Sequence, residues 1–228
     1  MTDRRTVIIL AAGEGKRMKS ALPKVLHPLL GRSLVGHVLA AAAPLDARDT
    51  IVVVGVGADR VREHLAEIAP DAVPVIQAEQ RGTGHAVRVA LAAVPEATGT
   101  VIVLNGDLPL VRAQTLTALL EKHERDGNAA TLLTAEVADP TGLGRIVTGE
   151  KGLERIVEER DATAEERAIR EINAGAYAFD AGLLRDALGR LSTDNDQGEE
   201  YLTDVLAMFV AAGHPVGTQL AGDRKSVV

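Results

Sequence analysis

Cysteine is absent from this chain of 228 residues, which excludes a disulfide framework, a thiolate metal centre and a cysteine nucleophile, and points to a cytoplasmic setting. Tryptophan is absent too and aromatic residues make up only 2%, so the stacking platforms that grip single-stranded nucleic acid are not to be expected. Positive charge is in deficit, with a formal net charge of -7. Non-specific nucleic-acid binding needs many phosphate-neutralising Lys and Arg, so a phosphate ligand must be held locally. No run approaches the roughly 20 apolar residues of a membrane span. Arg4 and Arg5 before TVIILAA imitate the start of a signal peptide, but about six apolar residues before a glycine turn are too few for one. Repeats and low-complexity linkers are also lacking.

What is present is 46% apolar residues, enough to fill a core and to suggest one α/β domain. TVIILAA, TIVVVGVG (Thr50 to Gly57) and GTVIVLNGD (Gly99 to Asp107) are short, β-branched apolar runs, the mark of strands buried on both faces. Helical patterns alternate with them, from Leu34, from Asp59 and from Gly84, so right-handed βαβ units are expected. After a further helix, QTLTALLEKHERDG, and the strand AATLLTAEV, the texture changes. A hairpin turned at Glu150-Lys151-Gly152, the polar stretch RDATAEERAIRE, the strand INAGAYAFD and two helices predict mixed or antiparallel pairing in the second half.

The first strand runs into LAAGEGKRM (Leu10 to Met18) and then LPKVL (Leu22 to Leu26). Glycines 13 and 15 permit backbone N–H groups to converge on an anion. On the glycines alone, a plain βα turn and a phosphate cradle stand level. The Rossmann dinucleotide fingerprint needs a third glycine, absent here, and a P-loop needs four residues between its glycines. Neither fits.

Taken with QAEQRGTGHA (Gln77 to Ala86), NGDLPL (Asn105 to Leu110), DPTGLGRI (Asp139 to Ile146), IVEERDAT (Ile156 to Thr163), EINAG (Glu171 to Gly175) and QGEEYLTD (Gln197 to Asp204), the opening motif resembles, in order and over nearly the whole chain, the uridyltransferase domain of bifunctional N-acetylglucosamine-1-phosphate uridyltransferase / glucosamine-1-phosphate acetyltransferases. The resemblance implies a Rossmann-like nucleotidyltransferase fold of the glycosyltransferase-A type. That is an α/β domain with a mostly parallel central sheet, helices on both faces and a smaller mixed-strand sugar-binding part. Residues 1–110 would form the nucleotide-binding half and 111–228 the sugar-phosphate half. The implied reaction joins UTP and N-acetylglucosamine 1-phosphate into UDP-N-acetylglucosamine and pyrophosphate, a precursor step for peptidoglycan and lipopolysaccharide, with no protein nucleophile and with no nucleic acid or membrane as partner.

Under that resemblance Arg17 and Lys24 take the triphosphate, a guanidinium fork and an ammonium point charge together neutralising the leaving group. Asp107 becomes the Mg²⁺ ligand, since Mg²⁺ commonly uses one or two carboxylates together with phosphate oxygens. Leu10, Ala11, Ala12 and Gly13 supply backbone to the nucleotide, with Gly82 and Thr83 near base and ribose, and Asn105 and Gly106 beside Asp107. Gln77 is expected to offer a donor and an acceptor together to the N3–H and O4 edge of uracil. Gly144, Glu158 and Asn173 match positions that hold the N-acetylglucosamine moiety, with Tyr201 and Thr203 nearby. His85 is assigned capping or packing, and His27 a structural role.

The family continues into an asparagine that completes the Mg²⁺ shell and then into a left-handed β-helix that carries acetyl transfer and trimerisation. The sequence stops at GDRKSVV, so the expectation is an isolated uridyltransferase domain, monomeric and slowed by the lost ligand. A nucleotidyltransferase for another sugar 1-phosphate and a nucleotide-sugar-binding fragment with impaired catalysis are the alternatives.

Overall fold

The computed structural model describes residues 5–13, 15, 18–149 and 152–222. In chain order the strands and helices are β1 (Arg5–Ala11), β2 (Pro28–Leu29), β3 (Arg32–Ser33), α1 (Leu34–Ala42), β4 (Asp49–Val54), α2 (Ala58–Ile68), β5 (Val73–Ile76), α3 (Thr83–Ala93), β6 (Thr100–Asn105), α4 (Ala113–Asp126), β7 (Ala130–Glu136), β8 (Arg145–Gly149), β9 (Gly152–Val157), α5 (Ala164–Arg167), β10 (Glu171–Asp180), α6 (Ala181–Leu188), α7 (Asp204–Ala211) and β11 (Val216–Leu220).

The sheet runs β11-β7-β10-β6-β1-β4-β5. Pairing is parallel throughout except at β10, which lies antiparallel to both β6 and β7. β8 and β9 form an antiparallel hairpin joined to β10, as the second half of the sequence predicted; its turn residues Glu150 and Lys151 lie outside the described residues. β1 explains the sandwich. Val7, Ile9 and Ala11 enter one core together with α1, α2 and α4, whereas Ile8 enters a second core on the opposite face with α3, α6 and α7. Side chains that alternate across a strand can serve both faces only if both are apolar, hence the unbroken VIILA. Each fully buried Ile contributes about 1.5–3 kcal/mol.

Two strands of this sheet have no counterpart in the sequence reading: β5, VPVI, and β11, VGTQL. Both are edges of the sheet. An edge tolerates Pro74, whose missing N–H would break an interior ladder.

The chain lays down β1, β4 and β5 in one direction and then returns to place β6 on the other side of β1. The order therefore reverses between β1 and β6, and the carboxyl ends of those strands diverge there. A crevice outside that point is where an open α/β sheet binds ligands.

Candidate functional site

Leu10 and Asn105 are register partners at the ends of β1 and β6, and the Gly106 N–H donates to the Leu10 carbonyl at 2.9 Å. A Cβ on Gly106 would stand 2.8 Å from that carbonyl oxygen, and one on Gly55, just after β4, would stand 2.6 Å from the Ala12 carbonyl. Glycine is required at both places because three strand ends are pressed together. An open cavity of about 710 Å³ lies over them, lined by Leu10, Ala12, Gly13, Lys24, Gln77 and Asp107 among others. A second hollow, about 670 Å³, opens beside Thr50 at the start of β4. Its Ser33–His64 contact of 2.8 Å belongs to a serine whose hydroxyl already caps α1, so the strand-end cavity is the candidate.

Lys24 opens a short helical turn that buries Val25. Gly15, with φ +63°, sits directly against the Lys24 side chain, where a Cβ would stand 2.7 Å from that of Lys24. The Lys24 Nζ is ion-paired with Asp107 Oδ2, both side chains being 32% exposed. The sequence motif thus brings one cation and one anion into contact across the gap between β1 and β6. Arg17 lies outside the described residues. Among those described there is no cluster of three or more metal-ligating side chains. The Asp107 carboxylate at the cavity wall fits a divalent cation that arrives with phosphates, because such an ion completes its shell with phosphate oxygens and water.

At the end of β5 stands Gln77, its backbone N–H donating to the Val54 carbonyl at 2.8 Å and the residue 5% exposed. Here the structure corrects the sequence reading. The Gln77 Nε2 lies 3.0 Å from the Gly82 carbonyl and 3.0 Å from His85 Nδ1, so both amide hydrogens are engaged within the protein. Only Oε1 remains to meet a base. Gly82 has φ +104°, and a Cβ there would meet the Glu200 backbone oxygen at 2.5 Å. The Thr83 hydroxyl accepts from the Leu202 N–H at 3.0 Å. Glu200 is buried and held by Arg81 at 2.8 Å and Arg88 at 2.5 Å. QGEEYLTD is thereby bolted onto the QRGTG loop from more than a hundred residues away.

On the far side Glu158 lines the cavity, joined by Gly142, Glu159, Arg160 and Gln197. Burial pushes the Glu158 carboxyl above the ordinary glutamate range; Asp161 and Asp204 add to the rise, while the Thr203 hydroxyl and Arg145 oppose it. Gly144, Asn173, Tyr201 and Thr203 do not line the cavity. They hold its wall. Thr203 Oγ1 stands 3.5 Å from Glu158, and a Cβ on Gly144 would crowd the same carboxylate at 3.4 Å. The Asn173 side chain donates to the Tyr177 hydroxyl at 2.6 Å and accepts from the Gly175 N–H at 3.0 Å. The Tyr201 hydroxyl accepts from Gln197 at 2.6 Å. Ala11 and Gly106 likewise sit beneath the lining, with Ala11 in the core and Gly106 in the strand-end contact.

Four polar side chains of the lining were missed from sequence: Gln80, whose amide donates to the Ala12 carbonyl at 2.9 Å, together with Glu159, Arg160 and Gln197. Each stands inside a quoted motif. Among the described residues Lys24 and Arg160 are the two cationic side chains on the cavity wall.

The MobA-like NTP transferase domain model matches residues 7–198. The bifunctional protein GlmU of Streptomyces coelicolor is 58% identical over 224 residues, covering 97% of this chain and 46% of that protein. The GlmU of Thermobifida fusca is 54% identical over 226 residues, covering 97% of this chain and 47% of that one. The chain spans about half the length of these curated relatives. A crystal structure of UDP-glucose pyrophosphorylase complexed with UDP-glucose superposes with a TM-score of 0.77 at 18% identity, covering 96% of this chain and 92% of that one, which shows the same fold. A family model that spans both strand ends, the loop of Gln77 and the wall of Glu158 leaves one conclusion: the chain belongs to the MobA-like NTP transferase domain family.

Proposed function

We propose that this chain transfers the uridylyl group of UTP to N-acetylglucosamine 1-phosphate, releasing pyrophosphate and UDP-N-acetylglucosamine, as a cytosolic enzyme of small molecules. The observation that carries this reading is continuity. One cavity joins an acceptor suited to uracil N3–H (Gln77), an ion pair suited to phosphates (Lys24 and Asp107) and a buried carboxylate suited to sugar hydroxyls (Glu158). The identity to GlmU relatives at 58% supports the choice of uridine and N-acetylglucosamine. We assign residues 1–110 to the nucleotide and 111–228 to the sugar phosphate.

In the reaction a phosphate oxygen of the sugar forms a bond to the α-phosphorus, and the bond from that phosphorus to the bridging oxygen of pyrophosphate breaks. The electron pair leaves with pyrophosphate, so the protein needs neither nucleophile nor proton shuttle. Its task is positioning and charge. Leu10, Ala12 and Gly13 line the nucleotide side. Lys24 exchanges Asp107 for phosphate oxygens and meets the charge that grows on the leaving group, a role shared with Arg17. Nucleotidyl transferases work with a divalent metal, here taken as Mg²⁺, which when bound neutralises phosphate charge and would be held by Asp107. Glu158, ionised, accepts from sugar hydroxyls, and Thr203 and Gly144 keep it in place, while Tyr201 holds Gln197 and Asn173 braces the turn at Gly175.

Pyrophosphate release from a panel of nucleoside triphosphates and sugar 1-phosphates tests the reading. The fastest pair is expected to be UTP with N-acetylglucosamine 1-phosphate. A faster reaction with glucose 1-phosphate would reassign the sugar, and binding heat from UDP-N-acetylglucosamine with no pyrophosphate released would leave a binding module.

Glu158 also sets a pH dependence. Because its burial raises the pH of protonation above the 4.5 of an ordinary glutamate, acidification should raise KM for the sugar phosphate while the solvated carboxylates are still ionised. In Glu158→Gln that KM should be high and flat over the same interval. The sign for stability is opposite: a carboxyl whose folded value is raised favours the fold at low pH and loses that contribution as pH rises through the raised value.

A further inference from the structure

We propose that His85 is a positioning residue that fixes which end of the Gln77 amide faces the base, and so sets the choice of uracil over cytosine. This rests on the uridylyl-transfer reading above. A glutamine amide can turn over about its last torsion, exchanging a double acceptor for a double donor at little intrinsic cost. In this site the exchange would invert the recognition, because uracil presents N3–H where cytosine presents a bare N3. Something must therefore hold the amide one way round.

Two contacts do so. The Gly82 carbonyl, 3.0 Å from Gln77 Nε2, can only accept. His85 Nδ1, also 3.0 Å from Nε2, takes the second amide hydrogen, which requires that nitrogen to be unprotonated and the ring proton to sit on Nε2. With both hydrogens occupied, Oε1 is the atom left for the cavity, and it has no hydrogen bond to a described residue. The two locks come from one short stretch: Gly82 precedes α3 and His85 lies in its first turn. Gly82 is itself immobilised, since its left-handed backbone is wedged against Glu200. Uracil N3–H then meets an acceptor. Cytosine N3 meets the same oxygen, acceptor against acceptor, and two polar groups stay unpaired.

The experiment compares kcat/KM for UTP and CTP in the wild type, His85→Leu, His85→Phe and His85→Asn, with thermal melting as the check on folding. Leucine and phenylalanine cannot accept; asparagine can place Oδ1 where Nδ1 stood. Losing one of two locks is expected to reduce the UTP:CTP ratio about tenfold in the first two variants, mainly through a higher KM for UTP with kcat little changed, and asparagine should restore most of it. A purely structural His85 would lower both substrates alike, so an unchanged ratio in folded His85→Leu or His85→Phe, or no recovery in His85→Asn, overturns the proposal. Nitrogen-15 NMR of the ring gives a second readout independent of turnover: unprotonated Nδ1 is expected, and a protonated Nδ1 overturns it. A wild type that releases no pyrophosphate from UTP refutes the uridylyl reading itself. A wild type that prefers UTP beside variants with the same preference refutes only the role of His85.

Discussion

Lys24→Ala and Asp107→Asn are each expected to lower kcat by about 10²–10³, the loss seen when one preorganised group that meets developing charge is removed. The two side chains are ion-paired to each other across the ends of β1 and β6, yet that pair is not their purpose. Both are about a third exposed, and an ion pair that water still reaches contributes about 0–1 kcal/mol. Melting temperature should hence hardly move in either variant, while turnover collapses. The pairing also has a kinetic consequence. In Asp107→Asn, Lys24 loses its anionic partner, so KM for UTP should rise little or fall even as kcat drops; in Lys24→Ala both are expected to worsen. Because the residues act on the same phosphates, the double variant should be less impaired than the product of the single losses. Melting curves and initial rates of pyrophosphate release check all three. A double variant as slow as that product would mean that Lys24 and Asp107 serve separate steps.

The parts of the site that were legible in the sequence are those in which chemistry and backbone are set within a few residues. The apolar run of β1 ending in Gly13, and its parallel twin ending in Asn105-Gly106-Asp107, carry the strand ends and the acidic residue together, so the crevice follows once the strands are parallel. The hairpin of β8 and β9 was legible for the same reason. What escaped depends on contacts far apart in the chain or on edges. β5 and β11 are edge strands, and their local signal is weak: Pro74 interrupts the first, and Gly217, Thr218 and Gln219 dilute the second. α5 did carry a local signal, the Thr163-to-Glu166 capping box, in a stretch read only as polar. The engagement of the Gln77 amide could not be foreseen, since it depends on the left-handed turn of Gly82. Of the residues expected to hold the sugar, Glu158 lines the cavity, whereas Gly144, Asn173, Tyr201 and Thr203 stand behind it. A motif carries a wall and its supports alike, and sequence does not separate them.

The longest-range of these supports carries the second large effect. Glu200 is 4% exposed and receives Arg81 and Arg88, which reach it from the nucleotide loop and from α3. Removing both arginines strands a buried carboxylate, and breaking such a pair typically costs about 3–5 kcal/mol. The arginine ends are 50% and 43% exposed, which places Arg81→Ala/Arg88→Ala at the lower end, about 3 kcal/mol. In a chain of this size that corresponds to a melting temperature roughly 6–12 °C lower. If the stranded charge is the cause, the further change Glu200→Gln should recover most of the loss. Function should suffer before the fold does. The Glu200 backbone accepts from the Gly84 N–H and donates to the Arg81 carbonyl, both at 2.8 Å, so loosening it frees Gly82, and with Gly82 goes one of the two contacts that orient Gln77. KM for UTP is expected to rise about tenfold in the double-arginine variant at temperatures where it remains folded, and to recover with Glu200→Gln. Recovery of melting temperature without recovery of KM would show that the arginines act on the nucleotide directly, rather than through the segment they fasten.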